Sequence, residues 1–486
     1  MLLPRQGLRA KGTTASPEAQ EFLRMADAPG PQAVAVDGGQ VSVQVIDSIG
    51  PDGAKLVELA PEDVLALRAQ RPDLRLVPVV YYQPAVAPPQ HIESGVTGKG
   101  AAAAADITLQ VVSKKGSAPI ANAFVVAFVD FKARTGAQGV TDEDGNVSLA
   151  LGQASIKLQR LYVYPLDAHW SIIKKNLTVK TGTQVVLTPL DLGYTDGLRH
   201  FYGNAAEGVG AGVTVGVIDT GVAAHPDLVI AGGANTVPGE DPKDFGDNGK
   251  SHGTHVAGII AARGTPPTGL RGVAPGVKLM AYRVFGKNQG SASSFAIAKA
   301  IDKAVADKCD LVNMSLGGGQ PDPVMKAAID DAWAAGTLCI VAAGNDDRSP
   351  ISFPAFEDTA LAVSATGRKG TFPTSAAAAD EVAAPYGTDK NNFIAKFSNV
   401  GPQMDLTGPG VSIMSTVPGS YAEISGTSMA CPAATGAAAR AIAGTPVIKM
   451  KRNARRTEAI VKAVLAAAKP LGFGPTFEGL GISEAQ

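Results

Sequence analysis

From residue 191 onward, short runs that are apolar at every position alternate with longer stretches of small and apolar residues. Residues 213–218, 311–314 and 337–343 are such runs, rich in Val, Ile and Leu. A strand half-exposed to water alternates apolar and polar residues. A run with no polar beat is covered on both faces, which is the mark of a parallel sheet flanked by helices. Residues 255–262 and 295–308 supply helical stretches between the runs. The expected fold is therefore α/β, with a mainly parallel central sheet and helices on both faces. Ligands of such sheets bind beyond the carboxyl ends of the strands.

Chemistry-bearing residues fall at those ends. Asp219 closes the run VTVGVIDTG, Asn345 closes TLCIVAAGN, and residues 315–318 (SLGG) follow a third run. Two helical stretches open on further candidates, His252 in SHGTHVAG and Ser428 in SGTSMACP. A serine hydroxyl is a weak nucleophile until a base takes its proton, which a neutral His252 does. Asp219 would fix the imidazole tautomer and stabilise the imidazolium. The Asn345 side chain and the Ser428 backbone N–H would donate to the oxyanion of an acyl-transfer intermediate. Taken singly, each has a plainer reading: a loop-capping Asp, a helix-opening His, a turn Ser, a strand-end Asn. Their joint occurrence at the ends of the right elements favours nucleophilic acyl transfer.

The motifs IDTGV, HPDL, HGTHVAG, GVAP, SLGG, AAGN, FSNVG and SGTSMACP together resemble the subtilisin-like serine proteases. The resemblance runs from about residue 197 to the C-terminus. It implies a serine endopeptidase that cleaves peptide bonds through Asp219, His252 and Ser428, with Asn345 in the oxyanion hole. It implies that Ser315, Leu316, Gly317 and Gly318 line one side of the substrate cleft, and Ala342, Ala343 and Gly344 the other side of the P1 pocket. The substrate is expected to be a protein or peptide bound as an added strand. Asp346 and Asp347 follow Asn345 and suggest some tolerance for basic P1 residues. Two departures stand out. Ala433 replaces a family His after the nucleophile. Asp227 in HPDL matches a calcium ligand, but the partner loop 263–271 (RGTPPTGLR) lacks the completing Asn. No metal or other cofactor is expected, calcium being a doubtful exception. His255, on the same helix face as His252, reads as a structural histidine.

The rest of the chain divides by pattern. Residues 1–32 are polar and rich in Ala, Pro and Gly, and are expected to be loosely ordered. Residues 33–85 read as a small α+β unit: Val41, Val43 and Val45 alternate as in a half-buried strand, and a helix opens at Ala60-Pro61 with Val64, Leu65 and Leu67 as its apolar face. By position this unit resembles the family's propeptide, which would make it an intramolecular inhibitor of a self-processing zymogen. Residues 86–104 have linker composition. Residues 105–190 carry short strands and an Asp144-Gly145 turn signal, expected as a small β-sandwich; TDEDGNVSL resembles carboxypeptidase-regulatory or transthyretin-like domains. Residues 191–486 form the catalytic domain, with 369–393 as a surface insertion. Maturation is expected between residues 82 and 105, leaving the sandwich attached. A rival reading makes the chain a binding protein whose sandwich recognises a partner.

Composition narrows the partners. The formal net charge is −1 with signs intermixed, so neither nucleic acid nor a membrane surface is expected, and the basic stretch KMKRNARR reads as a solvated helix face. No apolar run reaches the length of a membrane span or a leader's apolar core, which leaves the protein inside the cell or exported by an unread route. Gly208, Gly210 and Gly212 precede a strand instead of following it, so they are not a dinucleotide fingerprint. Three cysteines, Cys309, Cys339 and Cys431, with no paired spacing read as buried thiols. A monomer is expected.

Overall fold

The computed structural model describes residues 1–10, 16–36, 39–96, 106–318 and 320–483. The catalytic half is built on a ten-stranded sheet. Along its path run Ile230–Asn235, Lys278–Arg283, Thr214–Asp219, Leu311–Met314, Leu338–Ala342, Ala360–Arg368, Leu406–Pro409, Ile482–Ser483 and Ala468–Lys469, with Asn392–Ile394 paired to Ala360–Arg368. The strands from Ile230–Asn235 through Ile482–Ser483 pair in parallel along this path. One face is covered by helices His252–Ala261, Thr427–Ile442 and Ala454–Ala466, the other by Ser294–Ala306 and Pro323–Ala334, so Val217 and Ile340 point into one core and Ile218 and Val341 into the other. This is the α/β architecture expected from the unbroken apolar runs. The abundance of small residues has a use here: a Cβ on Gly436 would lie 2.6 Å from the Cβ of Val273, so only glycine lets that helix approach.

The N-terminal unit corrects the sequence expectation at its start. The described residues of this stretch, 1–10 and 16–32, are not loose: Leu2–Pro4 lies within a five-stranded antiparallel sheet, between Lys55–Glu58 and Leu74–Leu76. The apolar Met1-Leu2-Leu3 run is buried, with Leu2 on the unit's own core and Met1 and Leu3 against the catalytic domain. Helix Pro17–Met25 follows, capped by Ser16 Oγ accepting from Ala19 N–H, with Pro at its first position. The second helix begins at Asp63, later than Ala60, and only Leu67 of its expected apolar face is buried; Leu65 is 74% exposed. The unit is pinned to the two helices on the far face of the catalytic sheet. Arg9 donates to Asp302 at 2.6 and 2.7 Å, Lys299 to Asp47 at 2.6 Å, and Leu8 N–H to Asp331 at 2.9 Å.

The sandwich has a three-stranded sheet and a larger one ending in edge strand Thr135–Val140, packed around Ile107, Leu109, Val125, Leu149, Leu158 and Val185. Residues 369–393 are not a free surface insertion. Their turn Ala377–Glu381 is where the sandwich docks. Ile173 N–H donates to Ser375 O at 2.8 Å, and Asp380 accepts from Arg160 at 2.5 Å, from Lys175 at 2.9 Å and from the Tyr162 hydroxyl. The Ala-rich stretch was read as a loop because its partners lie some two hundred residues earlier in the chain. Of the 86–104 linker, Ser94–Gly95 is a strand added to the Thr135–Val140 edge, while 97–105 lie outside the described residues. No helix among the described residues is long and apolar enough to cross a membrane.

Asp380→Ala would leave the Tyr162 hydroxyl and the Arg160 guanidinium short of an acceptor. The loss is expected to weaken docking of the sandwich by about 1–3 kcal/mol. Calorimetry should then resolve a separate, earlier melting of the sandwich; an unchanged single transition would count against this role of the turn.

Candidate functional site

Asp219 is the last residue of strand Thr214–Asp219 and is 1% exposed. His252 is the first residue of helix His252–Ala261, whose start is set by Ser251 in the left-handed region and by Gly253 N–H donating to Thr220 Oγ1 at 2.8 Å. This brings His252 Nδ1 within 2.7 Å of Asp219 Oδ1, which also accepts from Thr220 N–H. Nδ1 is then the protonated nitrogen, leaving Nε2 as the basic one, and Nε2 is buried with no hydrogen-bond partner. His255, one turn on, is fully buried. Its Nε2 donates toward the carbonyls of Ile413 and Ala422, and burial pushes its pKa down to about 3. It ties the helix to the Ile413–Val417 hairpin and takes no part in the site, as expected.

Ser428 is the second residue of helix Thr427–Ile442 and is fully buried. Pro432 lies four residues later and has no N–H, so the Ser428 carbonyl lacks its helical donor. Ser315 Oγ supplies one at 2.9 Å, while itself accepting from Asn313 Nδ2 at 2.9 Å. The Ser428 hydroxyl donates to the Ser315 carbonyl at 3.0 Å. Asn345 Oδ1 accepts from Thr427 N–H at 2.8 Å, which fixes the carboxamide beside the nucleophile and commits its acceptor end, leaving the NH₂ as a donor. Asp219 is thus paired with His252, and Asn345 is held beside Ser428, each residue at or just past the end of a strand or at the start of a helix.

The cleft is occupied by the chain itself. Strand Tyr81–Pro84 lies antiparallel between Ala292–Ser293 and Leu316–Gly317, pairing Tyr82 with Ala292 and Gln83 with Gly317. Ala85 N–H then donates to the Ser315 carbonyl at 3.0 Å, and the Ala85 carbonyl accepts from Ser428 N–H at 3.0 Å. The next peptide crosses the nucleophile's loop so closely that a Cβ on Gly426 would lie 2.8 Å from Ala85 O. A cavity of about 250 Å³ beside Ala85 is lined by Gly317, Gly318, Gly344, Asn345, Asp346 and Ser352.

Five of the residues expected at the cleft lie on this strand or cavity. Ser315, Leu316 and Gly317 contact the strand through their backbones, and Gly318 and Gly344 line the cavity. Ala342 and Ala343 do not line it. They are fully buried within and just after strand Leu338–Ala342, because the sheet continues to their level before the chain turns at Gly344. Sequence reasoning also missed Asn399 and Ser352. Asn399 Nδ2 donates to Asp346 Oδ2 at 2.8 Å and to Ser352 Oγ at 3.0 Å, and a Cβ on Gly344, whose φ is +106°, would meet both residues at 2.4 Å. Asn399 sits in the quoted FSNVG motif, a signal that pointed to the family but not to this role.

Asp227 Oδ2 accepts from Leu270 N–H at 2.8 Å and from the Tyr421 hydroxyl at 2.9 Å. Among the described residues no three His, Cys, Asp or Glu side chains gather as metal ligands. The three cysteines are free and buried, and burial raises their thiol pKa values.

Ser315→Ala removes the hydroxyl that compensates Pro432. Urea unfolding, with Ser428→Ala as the common background to prevent autolysis, is expected to show a loss of about 1–3 kcal/mol for the unsatisfied Ser428 carbonyl. Unchanged stability would mean that this carbonyl finds another donor.

The model of the subtilase family matches residues 210–476. Subtilisin Savinase of Lederbergia lenta is 41% identical over 231 residues, 47% of this chain and 76% of that protein. Subtilisin DY of Bacillus licheniformis is 39% identical over 253 residues, 51% of this chain and 82% of its own length. An alkaline protease of Alkalihalobacillus alcalophilus is 41% identical over 231 residues, and there the match spans 54% of the relative. The matched region contains the aspartate, histidine, asparagine and serine just described, and the chain belongs to the subtilase family of serine endopeptidases.

Proposed function

We propose that this chain is a self-processing precursor that cuts its own Ala85–Val86 bond, with Asp219, His252 and Ser428 as the triad and Asn345 as an oxyanion donor. The observation that carries this reading is the hydrogen bond from Ser428 N–H to the Ala85 carbonyl, with residues 81–84 held as a strand on the substrate side. That donor is where an oxyanion would form. The expected cut between residues 82 and 105 is thereby narrowed to one bond, and a cut after residue 190 is disfavoured.

Cleavage would proceed by nucleophilic acyl transfer in two stages. The Ser428 hydroxyl turns from the Ser315 carbonyl to His252 Nε2, gives up its proton there, and its oxygen bonds to the Ala85 carbonyl carbon. The carbonyl electron pair moves onto oxygen, stabilised by Ser428 N–H and by the Asn345 amide. Collapse of the intermediate breaks the Ala85–Val86 bond, and the Val86 nitrogen takes the proton from His252. Water then repeats the attack on the Ala85 ester and frees residues 1–85. The freed unit remains as an inhibitor, because its strand and its Arg9–Asp302 and Lys299–Asp47 ion pairs do not depend on the cut. On other substrates, the glycine-lined cavity admits apolar P1 side chains well beyond alanine in size, and Asp346 on its wall adds tolerance for Lys or Arg.

The wild type is expected to yield a mature chain beginning at Val86, while Ser428→Ala stays at full length; N-terminal sequencing decides. Processing by the Ser428→Ala protein alone would overturn the assignment. Asn345→Ala is expected to cost about 10²–10³ in kcat with KM little changed, since the donor acts on the transition state. A change confined to KM would contradict that role.

A further inference from the structure

Beyond the Ala85–Val86 bond the chain keeps a backbone hydrogen bond to the catalytic domain, Ala87 N–H donating to Ser425 O at 2.9 Å, and then changes partner. Between Gln90 and Gly95 its hydrogen bonds go to the sandwich. Gln90 N–H reaches the Tyr164 hydroxyl at 3.3 Å. Arg134 donates to Gln90 Oε1 and to the His91 carbonyl, each at 2.6 Å. Ile92 N–H donates to Gln138 Oε1 at 2.8 Å and Glu93 N–H to the Arg134 carbonyl at 2.9 Å. Ser94–Gly95 then runs parallel to Thr135–Gly136 as an added strand. Most of these contacts read peptide backbone, so the edge is built for an extended peptide of many sequences.

We propose that the sandwich extends the product side of the substrate cleft along its Thr135–Val140 edge, and that residues 86–95 hold this site as a tethered competitor after maturation. The inference rests on cleavage at Ala85–Val86. Once cut, residues 1–85 leave by dissociation, but residues 86–95 remain covalently joined to the sandwich a dozen residues on. A covalent connection this short holds such a segment at an effective concentration on the order of millimolar, which a polypeptide substrate must overcome. The fit is also incomplete. A cavity of about 200 Å³ remains between Pro88, Tyr164, Ala377, Glu381 and Glu423, and a substrate with larger side chains three to five residues past its scissile bond gains contacts there that the two prolines do not make. The mature enzyme would then discriminate against long substrates that do not displace the segment, while cleaving short ones freely.

The test compares two substrates on the mature enzyme: an acyl-tetrapeptide nitroanilide, which stops at the scissile bond, and a quenched peptide with eight residues beyond it. Ile92→Pro together with Glu93→Pro removes two of the donors that hold the segment. The double variant is expected to raise kcat/KM for the long peptide about ten-fold, through KM, with less than a two-fold change for the nitroanilide. A synthetic decapeptide of residues 86–95 added to this variant should restore competition against the long peptide only. Should the double variant fail to fold, Ser94→Pro, which disrupts only the added strand, is expected to move the same ratio in the same direction. An unchanged or reduced ratio overturns the tether. N-terminal sequencing separates the two readings: Val86 with no change in ratio defeats the tether alone, whereas another N-terminus in an active enzyme defeats the cleavage reading and the tether with it.

Discussion

Burial of the central sheet on both faces decides where chemistry can occur in this protein. A strand covered above and below has no room for an unpaired polar side chain, whose desolvation would go uncompensated. Polar groups are therefore displaced to the carboxyl ends of strands and the amino ends of helices, where backbone groups still need partners. Asp219 ends a strand, His252 and Ser428 open helices, and Asn345 follows the strand that ends at Ala342. The site is assembled from segments more than two hundred residues apart because one parallel sheet brings its strand ends to a single edge.

A second constraint sits inside the nucleophile's helix. Pro432 fixes the backbone one turn after Ser428 and removes a donor from the ladder, and the protein compensates with Ser315 held by Asn313. The same Ser315 carbonyl accepts from Ala85 N–H and from the Ser428 hydroxyl. One residue thus joins the helix, the bound strand and the nucleophile, so binding of a peptide and the setting of the serine are mechanically linked.

The three units meet around this edge. The N-terminal unit covers helices on the far face of the sheet and sends its last strand into the cleft. The sandwich docks on the Ala377–Glu381 turn and on Glu423, which accepts from Ser171 Oγ at 2.9 Å. Glu381 is half-buried there, and desolvation raises its carboxyl pKa to about 7. The polypeptide between the two outer units passes Ser428, whose N–H donates to the Ala85 carbonyl at 3.0 Å.

What the sequence determined by itself was local or periodic. The unbroken runs at 213–218 and 311–314 required a two-sided parallel sheet, and the alternation Val41, Val43, Val45 required a one-sided strand; both are found. Asp219, His252, Ser428 and Asn345 could be singled out as candidates because each lies in a short motif at an element's end. What only the tertiary structure decided depended on distance along the chain. Leu2–Pro4 is a strand because Lys55–Glu58 and Leu74–Leu76 leave a place between them, which no window of ten residues reveals. Ala342 and Ala343 are buried, as the apolar run 337–343 required, whereas Gly344, one residue on at a positive φ, turns to the cavity, a difference that only the backbone path decides. The insertion at 369–393 became a docking turn through Arg160, Tyr162 and Lys175, side chains whose partners are set by how two domains pack and not by any pattern within either.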